Sequence, residues 1–232
     1  MKLNSGIRYD KDGMRVSLQA MRVQTELLNI ANENVNGFDK IGYQRKEAVV
    51  SSFSEYLGTD GISTTLDDKV GRLASSANPL DLGLASLGYF QTQSKDGVRI
   101  TRDGRFKLDK NGNLLSLDDS KVLSNNGVPI KLPIVPKSLN DVVVNSKGAV
   151  SVFNQKTNKL EYVANIGVVD TNGSLIISPD VKQGFNEASN VSLEREFLSL
   201  MPVTKNFDAN RQIFIIQSSN LTKTISQLSS MS

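Results

Sequence analysis

The chain has 232 residues, 27 basic against 24 acidic for a net charge of +3, and neither cysteine, histidine nor tryptophan. Disulfides, thiol nucleophiles, imidazole bases and the usual zinc sites are thereby excluded, and the scattered charges offer no phosphate-binding surface. An enzyme and a nucleic-acid partner are both unexpected, and no segment approaches the roughly 18 apolar residues of a membrane span.

The first six residues, Met1 to Gly6, lack the apolar run of a secretory signal, so any export is expected to use a route without a cleaved peptide. Ile7, Met14, Met21, Leu28 and Val35 then recur every seven residues, with Leu3, Leu18 and Thr25 on intervening positions. This is a heptad stripe on one helix, closed by Asn36-Gly37. Gly37-Phe38-Asp39-Lys40-Ile41-Gly42-Tyr43 reads as an extended turn, and short strands are predicted near 48–50 and 61–65.

From Asn78 the texture changes to short alternating runs separated by turn residues. Strands are predicted at 80–84, 89–92, 98–101, 105–108, 113–115, 121–123, 130–132, 142–145, 150–153, 160–168 and 175–178. Lys95-Asp96-Gly97, Asp103-Gly104, Asn111-Gly112, Ser146-Lys147-Gly148 and Asn172-Gly173 supply turns between them. The expected product is an all-β, hairpin-rich insert, a distorted barrel or sandwich.

The C-terminal stretch carries a second stripe. Leu193, Phe197, Leu200, Thr204, Phe207, Arg211, Phe214, Ser218, Leu221, Ile225 and Leu228 are spaced alternately four and three, the seam of a coiled coil. A helix over 193–228 would be about 54 Å long. Pro202 falls within it, where a proline costs about 3 kcal/mol or more, so a kink or a helix start near Pro202 is expected.

The fold class these elements give is α+β, with the N- and C-terminal helices paired, antiparallel or parallel, as a coiled-coil-like core around the β insert. Two helices buried in an ordinary globular core is the alternative. The expected organisation is an N-terminal helical core segment over 1–36, a connector over 37–65, a β-rich domain over 66–186 and a C-terminal helical core segment over 187–232. Asp109-Lys110-Asn111-Gly112-Asn113 begins like a calcium loop, but its glycine comes two places early and Ser120 stands where glutamate is needed, so it reads as a hairpin turn. Asp118-Asp119 reads as a solvated turn rather than half of an acid/base pair. No catalytic, cofactor-binding or metal-ligating residue is expected.

Three ordered segments resemble the axial proteins of the bacterial flagellum, the rod and hook family. Asn29-Ile30-Ala31-Asn32-Glu33-Asn34-Val35-Asn36-Gly37-Phe38 resembles that family's N-terminal signature. Its central signature is matched by Asn78-Pro79-Leu80-Asp81-Leu82, Gly88-Tyr89-Phe90, Thr101-Arg102-Asp103-Gly104 with Phe106 and Leu108, and Gly112-Asn113-Leu114. Gln183 to Val191 resembles the run that opens the family's C-terminal helix. Ala85-Ser86-Leu87 departs from the acidic, glycine-containing step usual there.

The resemblance implies a structural subunit of the basal-body rod, exported by the flagellar type III apparatus to the periplasmic rod and polymerising into a tubular shaft that transmits torque. The implied partners are copies of itself and other rod and hook proteins, with no nucleic acid, membrane insertion or cofactor. The expected assembly interface is Ile7, Met14, Leu18, Met21, Leu28 and Val35 on the first helix, with Leu193, Phe197, Leu200, Phe207, Phe214, Leu221, Ile225 and Leu228 on the last. The insert is too small for the outer domain usual in hook proteins, which favours a rod position, the proximal before the distal, with a hook protein of the same family as the third alternative. A monomeric β-rich binding module with a helical stalk is the rival from another class.

Overall fold

The computed structural model describes residues 5–51 and 61–230, with side chains of the first helix described from Gly13 onward. The elements run α1 (Ser5–Gly37), β1 (Lys46–Val50), β2 (Ile62–Leu66), β3 (Leu73–Ser75), β4 (Leu82–Leu84), β5 (Tyr89–Ser94), β6 (Gly97–Thr101), β7 (Phe106–Leu108), β8 (Leu114–Ser116) and β9 (Lys121–Val122). They continue with β10 (Val142–Val144), β11 (Ala149–Asn154), β12 (Lys159–Asn165), β13 (Val168–Val169), β14 (Val181–Gln183), β15 (Phe185–Glu187) and α2 (Leu193–Ser230). The coarse α+β expectation holds: a helix at each end and strands between.

The chain divides into two compact units. One holds α1 to Asn36, the β1–β2 pair and α2; the other holds residues 37–45 and 68–190. In the first, β1 and β2 pair antiparallel from Lys46 opposite Leu66 to Val50 opposite Ile62. The Ser192 hydroxyl accepts from the Arg195 amide at 3.4 Å, capping α2, and Glu194 and Glu196 place negative charge in its first turn, where the helix dipole favours it. This cap begins the helix nine residues before Pro202, so the expected start near Pro202 is not what forms. Pro202 is instead an interior residue on the exposed side of α2, as is Leu198, whose carbonyl loses its usual donor.

In the second unit β13, β5, β9, β8 and β7 form a sheet in that order, with β6 paired to β5; β10, β11 and β12 form another, and β14–β4 and β15–β3 are separate pairs. One apolar cluster joins the two larger sheets and the β4–β14 pair, with Leu82, Leu84, Phe90, Phe106, Val122, Val142, Val152, Val168 and Val181 among its members. Phe90 and Phe106 meet edge to face, ring centres 5.2 Å apart. Ile130 and Leu132 are buried, and in place of the expected strand there are isolated bridges at the neighbouring Pro129 and Lys131. The expected 160–168 strand is interrupted at Ile166 and Gly167, where the chain passes so close to Ser124 that a Cβ on Gly167 would press on its carbonyl. The run from Gln183 does not open a helix: residues 181–183 and 185–187 are strands, paired to β4 and β3.

Candidate assembly interface

In the first unit, α1 and α2 come together near both ends of the described pairing. A Cβ on Gly13 would collide with the Gln217 side chain, so α2 lies close to the backbone of α1 at this glycine. At the other end the Asn34 amide nitrogen donates to the Glu196 carboxylate at 3.2 Å, both residues being about 1% exposed. From Gly13 to Asn34 is 21 residues, and from Glu196 to Gln217 is also 21, so the two helices run in opposite directions. Asn34 is itself fixed from a third side: its oxygen accepts from the Lys46 amide at 2.8 Å and its nitrogen donates to the Lys46 carbonyl at 2.9 Å, which splices the side chain onto β1.

Burial along α2 follows the same geometry. Leu193, Leu200, Phe207, Phe214 and Leu221 are half-buried, and the companion row is Glu196, Val203, Asn210 and Gln217. The companion row expected from the pattern, 197/204/211/218/225, is turned outward at its first and last members: Phe197 is 58% exposed and Ile225 59%, with Leu228 at 60%. On α1, Met14, Met21, Leu28 and Val35 are half-buried, while Leu18 is 38% exposed and Thr25 is exposed. The Ile7 side chain and Leu3 lie outside the described residues. The most buried positions of α1 are Ser17, Val23, Ile30, Ala31, Asn34 and Gly37. For Val23, Ile30 and Gly37 the available signal was their spacing at intervals of seven. Asn34 and Glu196 carried none, since a hydrophobic pattern passes over polar residues.

The outer side of α2 exposes apolar residues in two groups, one near Leu198 and Met201 and one over 213–216, with the exposed Lys205, Asp208 and Gln212 between them. Leu198, Met201, Ile213, Ile215 and Ile216 are 45–61% exposed.

In the second unit, the segments that carried the signature resemblance converge on a buried ion pair. Arg102 and Glu187 are 2% and 3% exposed and join through two bonds, Nε to Oε2 at 2.8 Å and Nη2 to Oε1 at 3.0 Å. Arg102 Nη1 also donates to the carbonyls of Ser86 at 2.9 Å and Gly88 at 2.6 Å, and Nη2 to that of Leu84 at 3.4 Å. Glu187 accepts from the Gly71 amide at 2.8 Å, and its backbone carbonyl accepts from the Gly42 amide at 2.8 Å. Gly42, at φ +69°, lies so close to Arg102 and Asp103 that a Cβ would strike their backbone. Nearby Asp81 accepts from Ser76, Asn78 and Asn186 at 2.6–2.8 Å.

The aspartates weighed for chemistry are turn-formers. Asp109 accepts from the Asn111 and Asn113 amides and from the Asn113 side chain, which holds its carboxyl below the usual range. The hydroxyl of Ser116 does the same for Asp118, aided by Ser120. Among the described residues no group of acidic side chains could hold a metal ion, and no helix is long and apolar enough to cross a membrane.

Residues 85–152 match the family model described as flagellar hook protein FlgE/F/G D1 domain. Along the chain, similarity extends much further. It is 28% identical to the flagellar basal-body rod protein FlgF of Mesorhizobium japonicum, over 96% of this chain and 100% of that one. It is 29% identical to FlgF of Rhizobium meliloti, over 93% and 97%, and 28% identical to FlgG of Bacillus subtilis, over 80% and 85%. Over most of its length the chain is thus similar to rod proteins of the FlgF and FlgG kind. These relatives are structural proteins and not enzymes, and the similarity supports an axial role in the flagellar basal body.

Proposed function

We propose that this chain is a subunit of the basal-body rod that polymerises through its terminal helices, paired as a coiled-coil-like core, with copies of itself and with other rod and hook proteins. It reaches the periplasmic rod through the flagellar type III export apparatus, and the shaft it helps to build transmits torque. The observation that carries this reading is the apolar outer side of α2. Leu198, Met201, Ile215 and Ile216 are left to water in the single chain at 51–61% exposure, on a helix of 38 residues. Burying one such side chain contributes roughly 1.5–3 kcal/mol, so a neighbour laid along α2 gains several of these at once. A long row of modest contacts also resists shear better than one strong contact, because no single position holds the load.

The test is complementation of a strain lacking this chain. Ile216→Asp puts a carboxylate on the outer side of α2 without touching the face turned to α1. We expect a soluble chain with unchanged circular dichroism that does not enter isolated basal bodies and does not restore swimming. Normal rods and normal swimming with this variant would remove the outer side of α2 from the interface.

A further inference from the structure

We infer that Asn34 and Glu196 set the register of the two terminal helices, selecting one alignment among several that the apolar stripes would accept. The inference concerns the single chain and rests on the antiparallel pairing of α1 and α2, not on the polymer. The problem it addresses comes from the repeat itself. Apolar residues recur every seven positions, half-buried on α2 at Leu193, Leu200, Phe207, Phe214 and Leu221, and buried on α1 at Val23 and Ile30. In the observed register, counted from Gly13 opposite Gln217, Leu200 falls opposite Ile30 and Phe207 opposite Val23. A slip of seven residues in one direction puts Leu200 opposite Val23; in the other it puts Phe207 opposite Ile30. The seam stays apolar either way, so burial of the stripes alone discriminates weakly.

The polar residues behave differently. The same two slips carry Glu196 opposite Leu27 or Asn34 opposite Val203. Either move takes a nearly fully buried carboxylate or amide away from its partner and sets it against a hydrocarbon, which is costly. Asn34 also cannot turn to compensate, because both ends of its amide are held by the Lys46 backbone. A single polar position inside an apolar seam is the best-attested way for a buried polar group to specify alignment.

The absence of cysteine makes this measurable, since introduced thiols are the only ones in the chain. Three double-cysteine variants pair position 13 with 217, the observed register, or with 210 or 224, one heptad to either side. Gly13→Cys with Gln217→Cys also removes the side chain that a Cβ at 13 would meet. With a short bismaleimide, we expect the 13/217 pair to cross-link within the chain at least about tenfold faster than the other two. Failure of 13/217 to cross-link would overturn the pairing itself, and the register inference with it. With Asn34→Leu and Glu196→Leu added, the 13/210 or 13/224 rate should rise to within a few-fold of 13/217, while Glu196→Gln, which keeps an acceptor for Asn34, should retain the preference. Helical circular dichroism verifies each background. If the double leucine variant loses helix, Glu196→Leu alone, which leaves Asn34 on Lys46, carries the same expectation. Exclusive 13/217 cross-linking in a helical leucine variant would show that the register is set by something other than this pair.

Discussion

Replacing Arg102 by methionine tests whether the buried ion pair holds the second unit together. The substitution keeps most of the side-chain volume but removes five N–H donors. It leaves the Glu187 carboxylate, 3% exposed, with its Gly71 amide but without its charge partner, and the carbonyls of Leu84, Ser86 and Gly88 without the guanidinium. Removing one partner of a buried pair costs about 3–5 kcal/mol, a large part of the 5–15 kcal/mol that holds a typical domain folded. Many buried pairs can be replaced by two apolar residues at little cost, and adding Glu187→Leu separates that case from this one. Here three backbone carbonyls and the Gly71 N–H still lose their partners, at about 1–3 kcal/mol for each group left buried and unsatisfied, so the double variant should remain well below the native protein. Urea denaturation of the full chain followed by circular dichroism gives the three midpoints. The reasoning fails if Arg102→Met alone costs less than about 1 kcal/mol, and the backbone part of it fails if the double variant matches the native chain.

Asp118 is held below the usual carboxyl range first by the Ser116 hydroxyl, so its contribution to stability is present above the unfolded value and is lost as pH falls below about 4; Asp118→Asn should flatten that acid limb of a melting-temperature profile, and an unchanged limb would refute the assignment. We propose that the β-rich part folds by itself. A fragment of residues 66–190, which keeps Glu187, should then unfold cooperatively, whereas one cut at 186 should not, because Arg102 is left buried without its carboxylate. Equal cooperativity of the two fragments by circular dichroism would contradict this.

The β elements were legible where turn chemistry bounded an alternating run. Asn111-Gly112 and Asp96-Gly97 supplied glycines at φ +81° and +125°, and the strands flanking them formed as expected. β3, β14 and β15 were not legible, because each has three residues, too few for alternation to register, and each is made by a partner about 100 residues away in the chain. The helices were legible from their period, and one half-buried row on each from its apolar residues, Met14, Met21, Leu28 and Val35 on α1 and Leu193, Leu200, Phe207, Phe214 and Leu221 on α2. Within the single chain the row beside it on α2 is Glu196, Val203, Asn210 and Gln217, which a count of apolar residues passes over because three of the four are polar. Nothing in a linear pattern joins Arg102 to Glu187, 85 residues later. Only the resemblance placed both in recognisable runs.

What those runs do in the second unit bears on what is left for the protein to use. Every N–H of the Arg102 guanidinium is engaged: Nε and one Nη2 hydrogen with Glu187, the other Nη2 hydrogen with Leu84, and the two on Nη1 with Ser86 and Gly88. Asp81 is likewise saturated by Ser76, Asn78 and Asn186, and Gly104 is required because a Cβ there would overlap the Leu82 carbonyl. A buried charge with no spare donor or acceptor binds no ligand; it fixes the path of the backbone. Apart from the buried Asn186 side-chain oxygen, which has no hydrogen-bond partner, these polar groups are engaged in closing the unit. In the first unit α2 leaves Leu198, Met201, Ile213, Ile215 and Ile216 exposed to water, not covered by its own helix partner. An apolar surface acts by being covered, and this is why the proposed reading puts the contact with neighbouring subunits on the outer side of the last helix.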